Sequence, residues 1–350
     1  MSQVNFILIE MKAIVLQEPG RFETENTEID FKVEPDEALL KVHRVGICGT
    51  DLHAYAGEQP FFSYPRILGH ELGVEVVEAG GEVENVEVGD RCSIEPYRYN
   101  PEDQAVQGGK PNCAENMSVL GVHEDGGMRE YFKFPAKFLH ASDQLSYDQL
   151  ALIEPLGIGC HAVNRANIAS KDRVLVIGAG PIGLGAIQFA LAAGAEVGIM
   201  EIDPSRLAFC QQQFDLAGGV DPTETKANEQ LRSLFNGDLP SVVLDATGNK
   251  QSMEQAFDFV AHGGRLVYIG LFQGEVTFHD PNFHKKELTL MASRNALAAD
   301  FKQIIRSIEE GTINTDPWIT HRATFDTMIQ EFDSWLDPES NVIKTIVELS

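Results

Sequence analysis

The chain has 350 residues, 43% of them hydrophobic and 23% charged, with a formal charge of -26. That is enough sequence to bury a sizeable core in two domains, and the acidic balance works against nucleic acid and anionic membranes as partners. No apolar run is long enough for a membrane span. The five cysteines include no C-x-x-C pair, which disfavours a disulfide framework and fits a reducing cytoplasm.

The opening, MSQVNFILIEMKAIVL, has no basic segment and no small-residue cleavage site, so it reads as a first strand behind an extension over residues 1–10. Up to about residue 155 the chain is rich in Val, Gly and Pro. ALLKVHRVGIC and HELGVEVVEAG read as strands, with turns at DFKVEPDE and GGEVENVEVGD. The texture then changes. ALIEPLGIGCHAVNRA has helical spacing, RVLVIG reads as a buried parallel strand, and a glycine turn opens the helix of GAGPIGLGAIQFALAAGA. AEVGIME, PSRLAFCQQQF, SVVLDATG and GRLVYIGLF continue the strand and helix pattern, which predicts a doubly wound parallel sheet. FKQIIRSIEEG reads as a helix and VIKTIVEL as a closing strand.

Two stretches carry chemistry. Gly178, Gly180 and Gly183 form G-x-G-x-x-G between a strand and a helix, and Glu201 ends the next strand. That context points to a dinucleotide site, with the pyrophosphate on the helix N-terminus beside Pro181 and Ile182. Glu201 would accept hydrogen bonds from the adenosine ribose and repel a 2′-phosphate, which favours NAD over NADP; Arg206 nearby works the other way. In GICGTDLHAYAGEQPFFSYPRILGHE, the second stretch, Cys48, His70 and Glu71 offer thiolate, imidazole and carboxylate, a donor set that suits zinc. Taken singly, Cys48 would read as a small buried hydrophobe, His70 as a core histidine and Glu154 as a carboxylate at a helix start.

GICGTDLH, then GHE, then GAGPIG resembles the zinc-dependent medium-chain dehydrogenases, the alcohol and polyol dehydrogenase superfamily. The resemblance runs from about Met11 to the end of the sequence and implies two domains. One is a GroES-like, β-rich catalytic domain over residues 1–155 and 296–350; the other is a Rossmann coenzyme domain over residues 156–295. It also implies one catalytic zinc per chain, held by Cys48 and His70, with Glu71 as a ligand or near-ligand and Glu154 binding directly or through water. Asp51 would orient His70. Thr50 would pass the proton through the cofactor ribose to His53. Thr247, Leu271 and Ser293 would contact the cofactor.

Relatives hold a second, structural zinc by four cysteines, but the matching positions here are Asn100, Asp103, Val106 and Ala114. No such site is therefore expected. The lobe is expected to rely on packing by Tyr97 and Tyr99 or on an oligomer contact.

QPFFSYPRILGHE and GLFQGEVTFHDPNFHKKELTLMASRNA resemble the sugar-acid branch, the L-galactonate and L-gulonate 5-dehydrogenases. This implies oxidation of a secondary hydroxyl of a sugar acid or polyol by NAD. Arg294 would grip the substrate carboxylate, and Phe61 and Phe62 would wall the pocket with Tyr55 nearby. Sorbitol, threonine or a simple alcohol are alternative substrates within the family. A zinc-free reductase or a nucleotide-binding protein without catalysis lies further off. The family implies a homodimer or homotetramer in the cytoplasm.

Overall fold

In the computed structural model, which describes residues 8–59, 62–224 and 226–349, the chain divides into two units. One runs through Glu154 and resumes at Phe301; the other is Pro155–Asp300.

The first unit is β-rich. Its main sheet sets Leu139–Ala141, Arg91–Ile94, Glu71–Ala79, Glu37–Ile47, Lys344–Glu348 and Ile319–Thr324 side by side, and Tyr131–Pro135 also pairs with Glu37–Ile47. A smaller sheet places Leu8–Glu18 between Arg21–Asp30 and Arg66–Ile67. Ile14, Leu16, Leu40, Leu72, Phe132 and Phe134 form the core, which also takes in Phe332 and Trp335. The first strand starts at Leu8, inside the stretch expected to be an extension. Its partner RFETENTEID carries no apolar alternation, and it forms a strand because Leu8–Glu18 supplies the full register of backbone partners.

The second unit is a six-stranded parallel sheet in the order Gly218–Val220, Glu196–Met200, Arg173–Ile177, Val242–Asp245, Arg265–Tyr268, Thr289–Ala292. Helices follow several of these strands, including Pro181–Ala192, Pro204–Gln213 and Lys250–Phe259. The central strands are continuous apolar runs and are buried along nearly their whole length, as the run RVLVIG predicts. Gly178 takes a φ of +96°, and a Cβ on Gly183 would lie 1.8 Å from the Gly178 carbonyl oxygen. Both positions therefore require glycine.

Candidate metal centre and dinucleotide turn

Strand register builds the metal centre. Glu37–Ile47 runs antiparallel to Glu71–Ala79, with Gly46 opposite Glu71. This sets Cys48, just past the first strand, beside His70 and Glu71 at the start of the second. Lys344–Glu348 pairs on the other side with Thr345 opposite Ile47, and so delivers Lys344 to the same spot. After Cys48 the chain turns into the helix Gly49–Ala56, where the Asp51 carboxylate accepts the Cys48 N–H at 2.9 Å.

The ligand atoms of Cys48, His70 and Glu71 all lie within 4.8 Å of one another, and among the described residues they alone form such a group. His70 and Glu71 are buried and Cys48 is half-buried. His70 Nδ1 and Asp51 Oδ1 stand 3.8 Å apart, and both are buried without a hydrogen-bond partner. The expected hydrogen bond orienting His70 is thus not formed. A Cβ on Gly46 would lie 2.1 Å from Glu71 Oε2, so this glycine makes room for the carboxylate.

Lys344 Nζ donates to both Glu71 oxygens at 2.7 Å and to the Ile47 carbonyl at 3.0 Å. This residue escapes sequence reasoning; its only signal is a lone lysine within a strand-like apolar run. Glu154 is buried in the first turn of Ile153–Ala166 and lies outside the group of three. Its Oε1 instead accepts the Tyr97 phenol, a second residue whose part the sequence does not reveal. Tyr97, expected to pack the lobe, is buried, and its hydroxyl is engaged by Glu154.

The electrostatics follow from burial and crowding. Burial pulls the His70 pKa down, yet Asp51 and the Cys48 sulfur outweigh it and hold it well above the usual imidazole value. Burial drives the Asp51 and Glu154 carboxyls up, with His70 opposing both. For Lys344, burial is outweighed chiefly by Glu71, and its pKa rises. A thiol, an imidazole and a carboxylate drawn together, with the carboxyls of Asp51 and Glu154 close by, fit a zinc ion.

Around the centre, Thr50 is half-buried and His53 exposed, both on Gly49–Ala56. Phe62 is half-buried against the core and meets Tyr64 edge-on at 4.9 Å. Phe61 lies outside the described residues. Tyr55 is half-buried, stacks on Phe22 and donates to Asp333 at 2.6 Å.

A carboxylate joins the two arms of the lobe. Asp103 accepts from Ala105 N at 2.8 Å through Oδ1 and from Glu115 N at 2.9 Å through Oδ2. Ala114 is fully buried and Cys113 exposed. Tyr99 packs edge-on against Phe138 at 5.6 Å.

In the second unit, Gly178, Glu201, Thr247, Leu271, Ser293 and Arg294 all follow the carboxyl ends of parallel strands, the end of such a sheet where ligands bind. Gly180 caps the helix Pro181–Ala192, with Pro181 in its first turn and Ile182 next. Glu201 accepts from Ala179 N at 2.6 Å, Ile202 N at 2.8 Å and Asp203 N at 2.9 Å, which ties the glycine turn to the end of the neighbouring strand. Arg206 is half-buried on the helix Pro204–Gln213. Thr247 donates to Asp245 at 2.6 Å, Leu271 is 82% exposed, Ser293 is buried and Arg294 is exposed.

Comparison with known proteins agrees with both halves. The profile "Alcohol dehydrogenase GroES-like domain" matches residues 34–144 and the profile "Zinc-binding dehydrogenase" matches residues 181–310. The chain is 41% identical to L-galactonate-5-dehydrogenase of Escherichia coli K12, covering 96% of this chain and 98% of that one. It is 33% identical to a D-xylulose reductase of Scheffersomyces stipitis, covering 86% and 88%. An alcohol dehydrogenase from Escherichia coli CFT073, solved with NADH, superposes with a TM-score of 0.90 at 26% identity, covering 97% and 99%. With a clustered thiol, imidazole and carboxylate in one half and a glycine turn at the head of a parallel sheet in the other, the chain belongs to the zinc-dependent medium-chain alcohol and polyol dehydrogenases.

Proposed function

We propose that this protein is an NAD-dependent dehydrogenase that oxidises a secondary hydroxyl of a sugar acid or polyol, with an aldonate of the L-galactonate type as substrate. The observation that carries the reading is the cluster of Cys48, His70 and Glu71 within 4.8 Å. Relatives named for a sugar acid and a pentulose supply the substrate class. Zinc, when bound, would supply Lewis acidity to the substrate hydroxyl. Cys48, His70 and Glu71 would hold it, with Glu154 beside them.

The remaining work falls to the chain's own groups. Backbone N–H groups at the start of Pro181–Ala192 take the cofactor phosphates. Glu201 accepts the ribose hydroxyls and disfavours a 2′-phosphate, so NAD is the cofactor. Arg206, Thr247, Leu271 and Ser293 complete that site. Thr50 takes the proton released by the hydroxyl and hands it toward exposed His53. Arg294 pairs with the substrate carboxylate, and Phe61 and Phe62 wall its carbon chain. In this reading residues 1–155 and 296–350 form the catalytic domain, and residues 156–295 carry the coenzyme.

We assign a homodimer or homotetramer. Thr289–Ala292 ends its sheet with one edge unpaired among the described residues and with Leu290 39% exposed, which supports association. Among the described residues no helix is long and apolar enough to cross a membrane, and the five free thiols suit a cytoplasmic setting.

The test is a screen of NAD reduction over aldonates, polyols and simple alcohols, with and without chelator. Turnover of an aldonate that is lost on chelation, and weakened binding of that aldonate in Arg294→Ala, is the expected result. Protein that contains no zinc and keeps its activity in chelator would overturn the reading.

A further inference from the structure

Two buried carboxylates, Glu71 and Glu154, are tethered differently. Glu71 is gripped through both oxygens by Lys344, whereas Glu154 is gripped through one oxygen by Tyr97. Tyr97 is only 3% exposed and Glu154 5%, so no solvent competes for that bond. The phenol is itself fixed. Tyr97 lies in the short strand Tyr97–Arg98 opposite Val119, and the neighbouring Pro96 carbonyl accepts from Leu120 N at 3.0 Å. Among the described residues Glu154 Oε2 accepts no hydrogen bond, and Glu154 stands outside the group whose donor atoms lie within 4.8 Å. A buried carboxylate beside a thiol and an imidazole would ordinarily swing onto the metal they share. Here a donor on rigid backbone holds it by one oxygen and leaves the other available.

We infer that Tyr97 is a positioning residue that keeps Glu154 out of the metal's ligand set, so that Glu154 Oε2 is left to accept a hydrogen bond from the substrate hydroxyl. The two tethers divide the labour. Lys344 steadies the carboxylate that belongs to the metal, and Tyr97 holds back the one that addresses the substrate. This rests on the zinc dehydrogenase reading above. A phenol suits the task because it donates one hydrogen bond at a fixed reach and carries no charge to pull Glu154 away altogether.

The test uses the full-length protein with Co(II) in place of zinc, in wild type, Tyr97→Phe, Glu154→Gln and the double variant. Tyr97→Phe frees Glu154 to ligate. The visible Co(II) bands should shift, and metal release to a chelator should slow by about 10-fold, the scale on which groups behind the ligands act. The double variant should return to the wild-type spectrum. Glu154→Gln alone should keep the wild-type spectrum, because Glu154 is no ligand, while its KM for substrate rises. This arm stands even if Tyr97→Phe folds poorly. An unchanged spectrum in Tyr97→Phe, faster metal release from it, or loss of the wild-type spectrum in Glu154→Gln overturns the inference. If wild-type protein takes up neither zinc nor Co(II), the dehydrogenase reading itself fails.

Discussion

The Lys344 ammonium sits 2.7 Å from both carboxylate oxygens of Glu71, with the two side chains 2% and 0% exposed. Removing one partner leaves a buried charge uncompensated. Lys344→Met should cost about 3–5 kcal/mol of stability and lower the zinc content, as read by denaturant unfolding and metal analysis. Adding Glu71→Gln should recover part of the stability and none of the zinc. Equal stability in wild type and Lys344→Met would show that the pair does not hold the site together.

Glu201, proposed above to bind the cofactor ribose, is also a structural knot, since it accepts three backbone N–H groups around the glycine turn. Hydrogen bonds to a charged acceptor are worth about 1.5–3 kcal/mol each. Glu201→Gln should therefore weaken NAD binding by roughly 10-fold or more and narrow the preference over NADP, measured as the ratio of kcat/KM for the two cofactors. An unaltered ratio would remove Glu201 from cofactor choice.

The lobe depends on Asp103, which bonds two backbone N–H groups from separate turns. Asp103→Ala should cost about 1–2 kcal/mol and speed hydrogen exchange over residues 100–117, as loss of a capping carboxylate does. Chelator should leave exchange there unchanged while it abolishes turnover. Loosening of the lobe by chelator would mean that a metal resides in it.

Asp148 is half-buried between Arg44 at 2.8 Å and Arg322. Burial pushes its carboxyl up, but Arg322 and then Arg44 outweigh it and leave the pKa below the usual aspartate value. The group is therefore more easily deprotonated in the folded state than in the unfolded one. Its stabilisation is fully present above the unfolded value near about pH 4 and fades as pH falls through the lower folded value. Asp148→Asn should lose stability at neutral pH and show a shallower loss of stability between pH 5 and 3. Unfolding curves collected across that range would reveal an unchanged slope if the ion pairs contribute nothing.

The parallel sheet was legible because its strands are continuous apolar runs and its first turn needs glycine at Gly178 and Gly183 for reasons of space. Cys48, His70 and Glu71 were legible as donors in one short stretch. Lys344 and Tyr97 were not. Each acts through a neighbour brought close by strand register or by a short two-stranded ribbon, and neither leaves a local pattern. Arg21–Asp30 was hidden for a similar reason: its strand character comes from the partner's backbone and not from its own side chains. The contacts of Tyr55 with Phe22 and Asp333 were hidden in the same way, since both residues are far from it in sequence.

Glu71 and its counter-ion are separated by 273 positions along the chain. At ribosomal speeds of about 5–20 residues per second, Lys344 emerges roughly 15–55 s after Glu71. Cys48 and His70 are already outside the ribosome by then, while Glu71 still lacks the ammonium that neutralises it. The closing step is the docking of Lys344–Glu348 against Glu37–Ile47, a pairing of very distant segments that is slow by its topology. The centre thus reaches its final charge balance only once Lys344 has docked, and until then the nascent site is more anionic than the finished one.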